Sequence, residues 1–155
     1  MEIIIPGSGT LDIRNIMLDY NGTLAVDGIM IPGVGQILNE LSILFNIHVV
    51  TADTFGTSGS ELRNVKCTLS RLDAGDQSGA KLRYLTGLGK DNTACIGNGK
   101  NDMLMLKESV LGIAVIQEEG AYTPALIASD IVCHDILSAL DYFRKPERLV
   151  ATLRD

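Results

Sequence analysis

Short apolar, β-branched runs alternate with stretches in which apolar residues recur at three- and four-residue intervals, along almost the whole chain. Runs at Arg14–Leu18, Ile47–Thr51, Val65–Leu69, Thr93–Ile96, Gly112–Ile116 and Ile131–Cys133 predict strands. Between Ile31 and Ile47, the residues Val34, Ile37, Leu38, Leu41 and Leu44 follow a Pro32-Gly33 start at helical spacing. Further helices are predicted at Gly79–Leu88, Asp102–Ser109 and Ile136–Phe143, with a shorter one near Ser60–Asn64. This alternation is the signature of βαβ units, so the fold class is α/β with a doubly wound, Rossmann-like parallel sheet. Directly after the first strand, Asp27-Gly28 lies between the short apolar arms Leu24–Val26 and Ile29–Ile31, a β-hairpin signal. Such a hairpin would overhang the carboxyl end of that strand, where ligands of open α/β sheets bind, and could act as a flap.

At 155 residues and 46% hydrophobic composition, the chain reads as a single domain over 1–155 with one core, without repeat, low-complexity tract or linker. A net charge of −6 without a Lys/Arg run gives no electrostatic footprint for nucleic acid or an anionic membrane. The longest apolar stretches stop far short of a membrane span, and no basic region precedes the apolar Met1–Pro6 segment, so the expectation is a cytoplasmic protein. Cys67, Cys95 and Cys133 lack metal or redox spacing and read as buried thiols. His48 and His134 have no nucleophile partner, and Met103 and Met105 read as packing residues.

The candidate chemistry lies where the strands end. Asp19 follows Ile16-Met17-Leu18, Thr51 and Asp53 follow Val49-Val50, and Asn98 and Asp102 follow Cys95-Ile96-Gly97. Parallel strands put those ends on one edge, where clustered carboxylates ordinarily need a cation between them. Each Asp could instead cap the helix that follows it. Lys81 shares the helical stripe of Tyr84, Leu85 and Leu88 and therefore faces inward, where it needs an anion unless it snorkels to water. Gly22, Gly97 and Gly99 sit in turns that expose backbone amides suited to phosphate.

In order and placement these segments resemble four motifs of the haloacid dehalogenase superfamily, in particular its capless members similar to the phosphorylation domain of P-type ATPases. Leu18-Asp19-Tyr20-Asn21-Gly22-Thr23-Leu24 resembles the first motif, Val50-Thr51-Ala52-Asp53 the second, Lys81 the third, and Gly97-Asn98-Gly99-Lys100-Asn101-Asp102 the fourth. The resemblance implies a Mg²⁺-dependent phosphohydrolase with Asp19 as the nucleophile that becomes aspartyl phosphate, and catalytic roles for Asn21, Thr51 and Lys81. It implies phosphate binding by Tyr20, Asn21, Gly22, Thr51, Ala52 and Lys81, and a metal held by Asp19, the main-chain carbonyl of Asn21, Asn98 and Asp102, with Asp102 nearest the acidic role of the fourth motif. The gaps Thr23–Pro32 and Asp53–Lys81 leave no room for a cap domain, which implies an open site for a phosphorylated substrate, large or covered by a second copy of the chain.

Two positions depart from the motifs, each replacing a carboxylate by an amide. Asn21 stands where family phosphatases carry the Asp that protonates the leaving group and activates water; an amide cannot move that proton. Asn98 stands where a metal-binding Asp is usual. The first expectation is therefore a slowed phosphohydrolase, and the alternative a phosphate-binding or regulatory protein with little turnover. A third reading, a nucleotide-binding module like that of the pumps, would predict ATP binding.

Overall fold

The computed structural model describes residues 1–155. It begins with a hairpin of β1 (Glu2–Ile5) and β2 (Gly9–Asp12), followed by the central strand β3 (Asn15–Leu18). A second hairpin, β4 (Ala25–Val26) and β5 (Ile29–Met30), precedes α1 (Val34–Leu41), β6 (Asn46–Thr51), α2 (Ser58–Glu61) and β7 (Thr68–Arg71). The chain then crosses to the other side of β3 through α3 (Gln77–Leu88), β8 (Thr93–Gly97), α4 (Met103–Glu108), β9 (Leu111–Val115), α5 (Thr123–Ala128) and β10 (Ile131–Cys133). It closes with α6 (Ile136–Arg144) and α7 (Glu147–Leu153).

Six strands form one parallel sheet in the order β10-β9-β8-β3-β6-β7, the doubly wound arrangement expected from the pattern. Strand side chains alternate between two apolar layers, which is why the strands read as continuous apolar runs. Ile16, Leu18, Val49, Ile96 and Ile113 pack with Val34 and Leu38 of α1 and with Ile136, Leu140 and Phe143 of α6. Met17, Val50, Cys95 and Ala114 face Leu85 of α3, Met105 and Leu106 of α4 and Ala125 of α5. The two layers hold β8, β3 and β6 side by side, so their carboxyl ends open on one edge between α3 and the second hairpin.

That hairpin turns at Asp27-Gly28 with φ of 52° and 78°, the paired positive angles of a type I′ turn. It is braced rather than free. The Tyr20 hydroxyl and the Thr57 hydroxyl both donate to Gly28 O, at 3.2 and 2.6 Å, and the Met30 amide donates to Glu61.

Local boundaries depart from the expected ones for physical reasons. The helix after Pro32-Gly33 ends at Leu41, because a turn over 42–45 must return the chain to β6; Leu44, assigned to the helix by spacing, is 69% exposed. The strand expected at Val65–Leu69 forms at Thr68–Arg71. As an edge strand paired on one side only, it tolerates Ser70 and Arg71, which apolar patterning passes over. The short helix expected at Ser60–Asn64 forms at Ser58–Glu61. The N-terminal hairpin, α5 and α7 were not anticipated from the pattern. No helix is long and apolar enough to cross a membrane.

Candidate active site

Asp19 leaves the end of β3 and is only 5% exposed. Its Oδ1 receives Lys81 Nζ at 2.5 Å, and Lys81 Nζ also donates to Asp102 Oδ1 at 2.6 Å. Lys81 is fully buried in α3, whose first turn is capped by the Asp76 carboxylate accepting from the Gly79 amide at 2.9 Å. The anion that an inward lysine requires is thus the carboxylate pair itself. Burial works against the ammonium, but Asp102 and Asp19 together outweigh it and hold the Lys81 pKa above its ordinary value. For Asp19, burial is the largest influence and the Asp102 charge adds to it; Lys81 and the Tyr20 amide pull the other way, and the carboxyl settles at about 6 rather than 3.8.

Thr23, fully buried, places its hydroxyl 3.3 Å from Asp19 Oδ2 and 3.2 Å from Asn98 Oδ1, tying the first and fourth segments together through one shared hydrogen. Gly22 lies between them at φ +76°, and a Cβ there would stand 2.4 Å from Asn98 Nδ2. Gly97 is required for a similar reason, since its Cβ would meet the Asp102 carboxyl carbon at 2.5 Å. Thr51, at the end of β6, accepts the Asp53 amide on its hydroxyl oxygen at 2.9 Å, leaving its hydrogen available to the cleft. Asn21 Oδ1 is buried without a hydrogen-bond partner.

A cleft of about 190 Å³ opens over these groups, lined by Asp19, Asn21, Thr51, Ala52 and Asn98, with Thr54, Gly99, Gln77 and Asn101 on the outer wall. Gln77 Oε1 accepts from Asn101 Nδ2 at 3.1 Å across that wall. A larger hollow of about 530 Å³ lies at the opposite, amino edge of β3, β6 and β7, around Asn15, His48 and Cys67, where no set of charged groups converges.

Two of the residues expected at the cleft lie elsewhere. Asp53 takes φ +50° and turns its carboxylate to the Ser58 amide and to Arg71 Nε, at 3.0 and 2.7 Å. It caps the following turn, the alternative open to any Asp after a strand. Asp102, expected as a metal ligand, is fully buried behind the cleft. Its Oδ2 accepts the Asn98 and Gly99 amides at 3.0 and 2.8 Å and its Oδ1 accepts Lys81, so it shapes the loop and holds the lysine instead. Lys81 likewise reaches the cleft only through Asp19. Tyr20 and Gly22 belong to the Asp19 turn, and the Tyr20 side chain serves the hairpin.

Sequence reading passed over Gln117, just beyond β9. Its Nε2 donates to Gly22 O at 3.0 Å and Thr23 O at 2.7 Å, while its Oε1 accepts the Ile136 amide at 2.8 Å. The signal was present, since Gln117 follows an apolar strand run on the same carboxyl edge as Asp19 and Asn98. Gln77, Asn101 and Thr54 gave none. Asp19 is the one carboxylate lining the cleft, beside the amides of Asn21, Asn98, Gln77 and Asn101 and the hydroxyls of Thr51 and Thr54, and no group of three or more His, Cys, Asp or Glu side chains is placed to hold a metal.

No protein-family model matches the chain. The uncharacterized protein MJ0073 of Methanocaldococcus jannaschii is 47% identical over 91 residues, covering 56% of this chain and 98% of that protein. Among solved structures, the 3-deoxy-D-manno-octulosonate 8-phosphate phosphatase of Moraxella catarrhalis, in complex with magnesium, phosphate and KDO, superposes with a TM-score of 0.71 at 15% identity. The match covers 92% of this chain and 94% of that one. The cobalt-bound enzyme of the same description from Haemophilus influenzae gives a TM-score of 0.68 at 14% identity, over 93% and 94% of the two chains. The chain belongs to one family with the Methanocaldococcus jannaschii protein, and its fold is the capless form of the haloacid dehalogenase superfamily core.

Proposed function

We propose that this protein is a divalent-metal-dependent phosphohydrolase that forms an aspartyl phosphate on Asp19. The observation that carries the reading is the placement of one carboxylate at the floor of a polar cleft, oriented by a fully buried lysine shared with Asp102, beside a threonine hydroxyl free to donate. The phosphatase structures that share the fold support it, one of them holding magnesium and phosphate together.

The donors at the cleft fit Mg²⁺ in kind: all are oxygens, and the buried, unpartnered Asn21 Oδ1 is an acceptor in need of a cation or a donor. With one carboxylate among them, they would hold it weakly. Asp19, Asn21 and Asn98 would be its protein ligands, and a bound Mg²⁺ would neutralise charge on the transferring phosphoryl group.

In the proposed reaction an Asp19 carboxylate oxygen attacks phosphorus, the phosphorus–oxygen ester bond breaks, and the leaving oxygen keeps the electron pair. Lys81 holds Asp19 in place and offsets its charge, while the Thr51 hydroxyl and the Asn21 backbone amide receive the phosphoryl oxygens. Asn21 has no proton to give, so the leaving oxygen takes one from solvent in the open cleft. In the second half, water attacks phosphorus and the Asp19 carboxylate departs, without a side-chain base at position 21. Losing such a group costs typically about 10²- to 10⁴-fold in rate, so a long-lived phosphoenzyme is the expected resting species. The amides at 21 and 98 favour the second reading, a phosphate-binding or regulatory protein, over rapid turnover.

The test is phosphate release from an aryl phosphate with and without Mg²⁺, resolved over the first seconds, with Asp19→Asn as control. A metal-dependent burst of one equivalent that Asp19→Asn abolishes, followed by slow release, supports the proposal. Neither burst nor release, with saturable phosphate binding, would replace it by the second reading.

A further inference from the structure

Seven residues between β9 and α5, Ile116 to Tyr122, cross the carboxyl edge of the sheet and hold the turn after Asp19, the Asn98 loop and the second hairpin. Gln117 holds Gly22 O and Thr23 O. Gly120 O accepts Asn98 Nδ2 at 3.0 Å, and the Tyr122 amide donates to Asn98 O at 2.8 Å. Glu119 Oε1 accepts the Asp27 amide at the tip of the second hairpin, at 2.8 Å.

Within this loop Gln117 alone satisfies both donor hydrogens and its acceptor on three different backbone groups. Because Ile136 opens α6, a helix packed in the larger core layer, the carboxamide is fixed at its oxygen end by a rigid element and presents both hydrogens to the turn after Asp19. The two carbonyls it holds belong to the peptide units on either side of the Thr23 α-carbon, and the Thr23 hydroxyl is the group that meets Asp19 Oδ2. The opposite oxygen of Asp19 is fixed by Lys81. One carboxylate oxygen is therefore set by α3 through Lys81, and the other by α6 through Gln117 and Thr23.

We infer that Gln117 is a positioning residue, the link that transmits the rigidity of α6 to the Asp19 turn and so sets the orientation of the attacking carboxylate. The catalytic part of this inference rests on Asp19 being the nucleophile; the mechanical part does not. A side chain at 117 without donors would leave the Gly22 and Thr23 carbonyls unpaired, and one with a carboxylate would repel them. Displacement of a reacting group by about 1 Å costs on the order of 10²-fold in rate while barely altering ground-state binding.

The test uses the full chain with Gln117→Met, similar in length and without donors, and Gln117→Glu. Two readouts are taken: the rate constant of the aryl phosphate burst with Mg²⁺ and the substrate concentration that half-saturates it, and amide hydrogen exchange of Gly22, Thr23, Leu24 and Ala25, all hydrogen-bonded within the turn. The expected result is a fall in the burst rate constant of about tenfold or more with half-saturation within about threefold, and exchange of those four amides faster by about tenfold while β3 and β8 amides keep their rates. Unchanged turn exchange, or exchange raised uniformly across the sheet with a lowered Tm, overturns the inference, since the second pattern is that of a residue serving only stability. If the unmodified protein neither turns over nor bursts, the phosphatase reading falls, and hydrogen exchange still decides whether Gln117 holds the turn.

Discussion

Replacing the candidate nucleophile by its neutral isostere should make the protein more stable, and only above the acid range. The Asp19 carboxyl is held at about 6 against 3.8, with burial as the main cause and Asp102 as the second. A group whose pKa is raised on folding contributes its stability in full below the unfolded value and loses it as pH rises through the folded value. At ~1.4 kcal/mol per pKa unit, the change from 3.8 to about 6 corresponds to ~3 kcal/mol of destabilisation, complete by pH 8. Asn keeps the shape and never ionises. In chelator, so that no cation offsets the charge, Asp19→Asn should exceed the unmodified protein by ~3 kcal/mol at pH 8 and match it near pH 3.5. For a chain of this size the difference is a Tm gain of roughly 6–12 °C. Urea titrations of both proteins at pH 8, 6 and 4 measure it directly. A less stable Asp19→Asn at pH 8, or an advantage that does not change with pH, would refute the reasoning and show that attraction by Lys81 outweighs burial and repulsion from Asp102.

The other perturbations follow from the same cluster. Lys81→Met leaves two buried carboxylates facing each other and should cost about 3–5 kcal/mol at pH 8, less at pH 5, by urea unfolding. Gly22→Ala forces a Cβ into Asn98 at a positive φ and should cost more than ~1 kcal/mol, with phosphoryl transfer to Asp19 falling by a larger factor than stability alone explains. Asn21→Asp should raise steady phosphate release by about 10²-fold or more and remove the burst, measured beside the unmodified protein at equal Mg²⁺.

Sheet order and the edge that carries the site were legible because both faces of β3, β6, β8 and β9 are buried, which writes a continuous apolar run into the sequence. Edge strand β7 is buried on fewer sides, and its polar Ser70 and Arg71 hid its end, so the expected strand stopped at Leu69 instead of Arg71. Asp19, Thr51, Lys81 and Asn98 were legible as polar residues at strand ends or on an inward helix stripe, although capping and snorkelling offered other reasons for them. Asp53 and Asp102 look the same in the sequence. What separates them is side-chain direction: a positive φ turns Asp53 to Ser58 and Arg71, and two loop amides turn Asp102 behind the cleft. Gln117 carries no charge, so a search for ionisable groups misses it although its position obeys the strand-end rule.

The amides at 21 and 98 alter the charge of the site more than its shape. Once ionised, Asp19 and Asp102 against Lys81 leave a single net negative charge in a nearly dry cluster. Carboxylates at both positions, as in the phosphatase pattern the sequence resembles, would add two more within reach of Asp19. Each would raise further a carboxyl that burial and Asp102 already hold at about 6, and a protonated Asp19 is no nucleophile. A site with those carboxylates needs its cation bound before the nucleophile ionises near neutral pH. With amides, Asp19 at about 6 is ionised at pH 7 with Lys81 and the Tyr20 amide as its support and no cation, so on the proposed reading the attack on phosphorus is kept while tight metal binding and proton transfer at position 21 are given up. That combination favours forming a phosphoenzyme over clearing it, and the burst experiment separates those two steps.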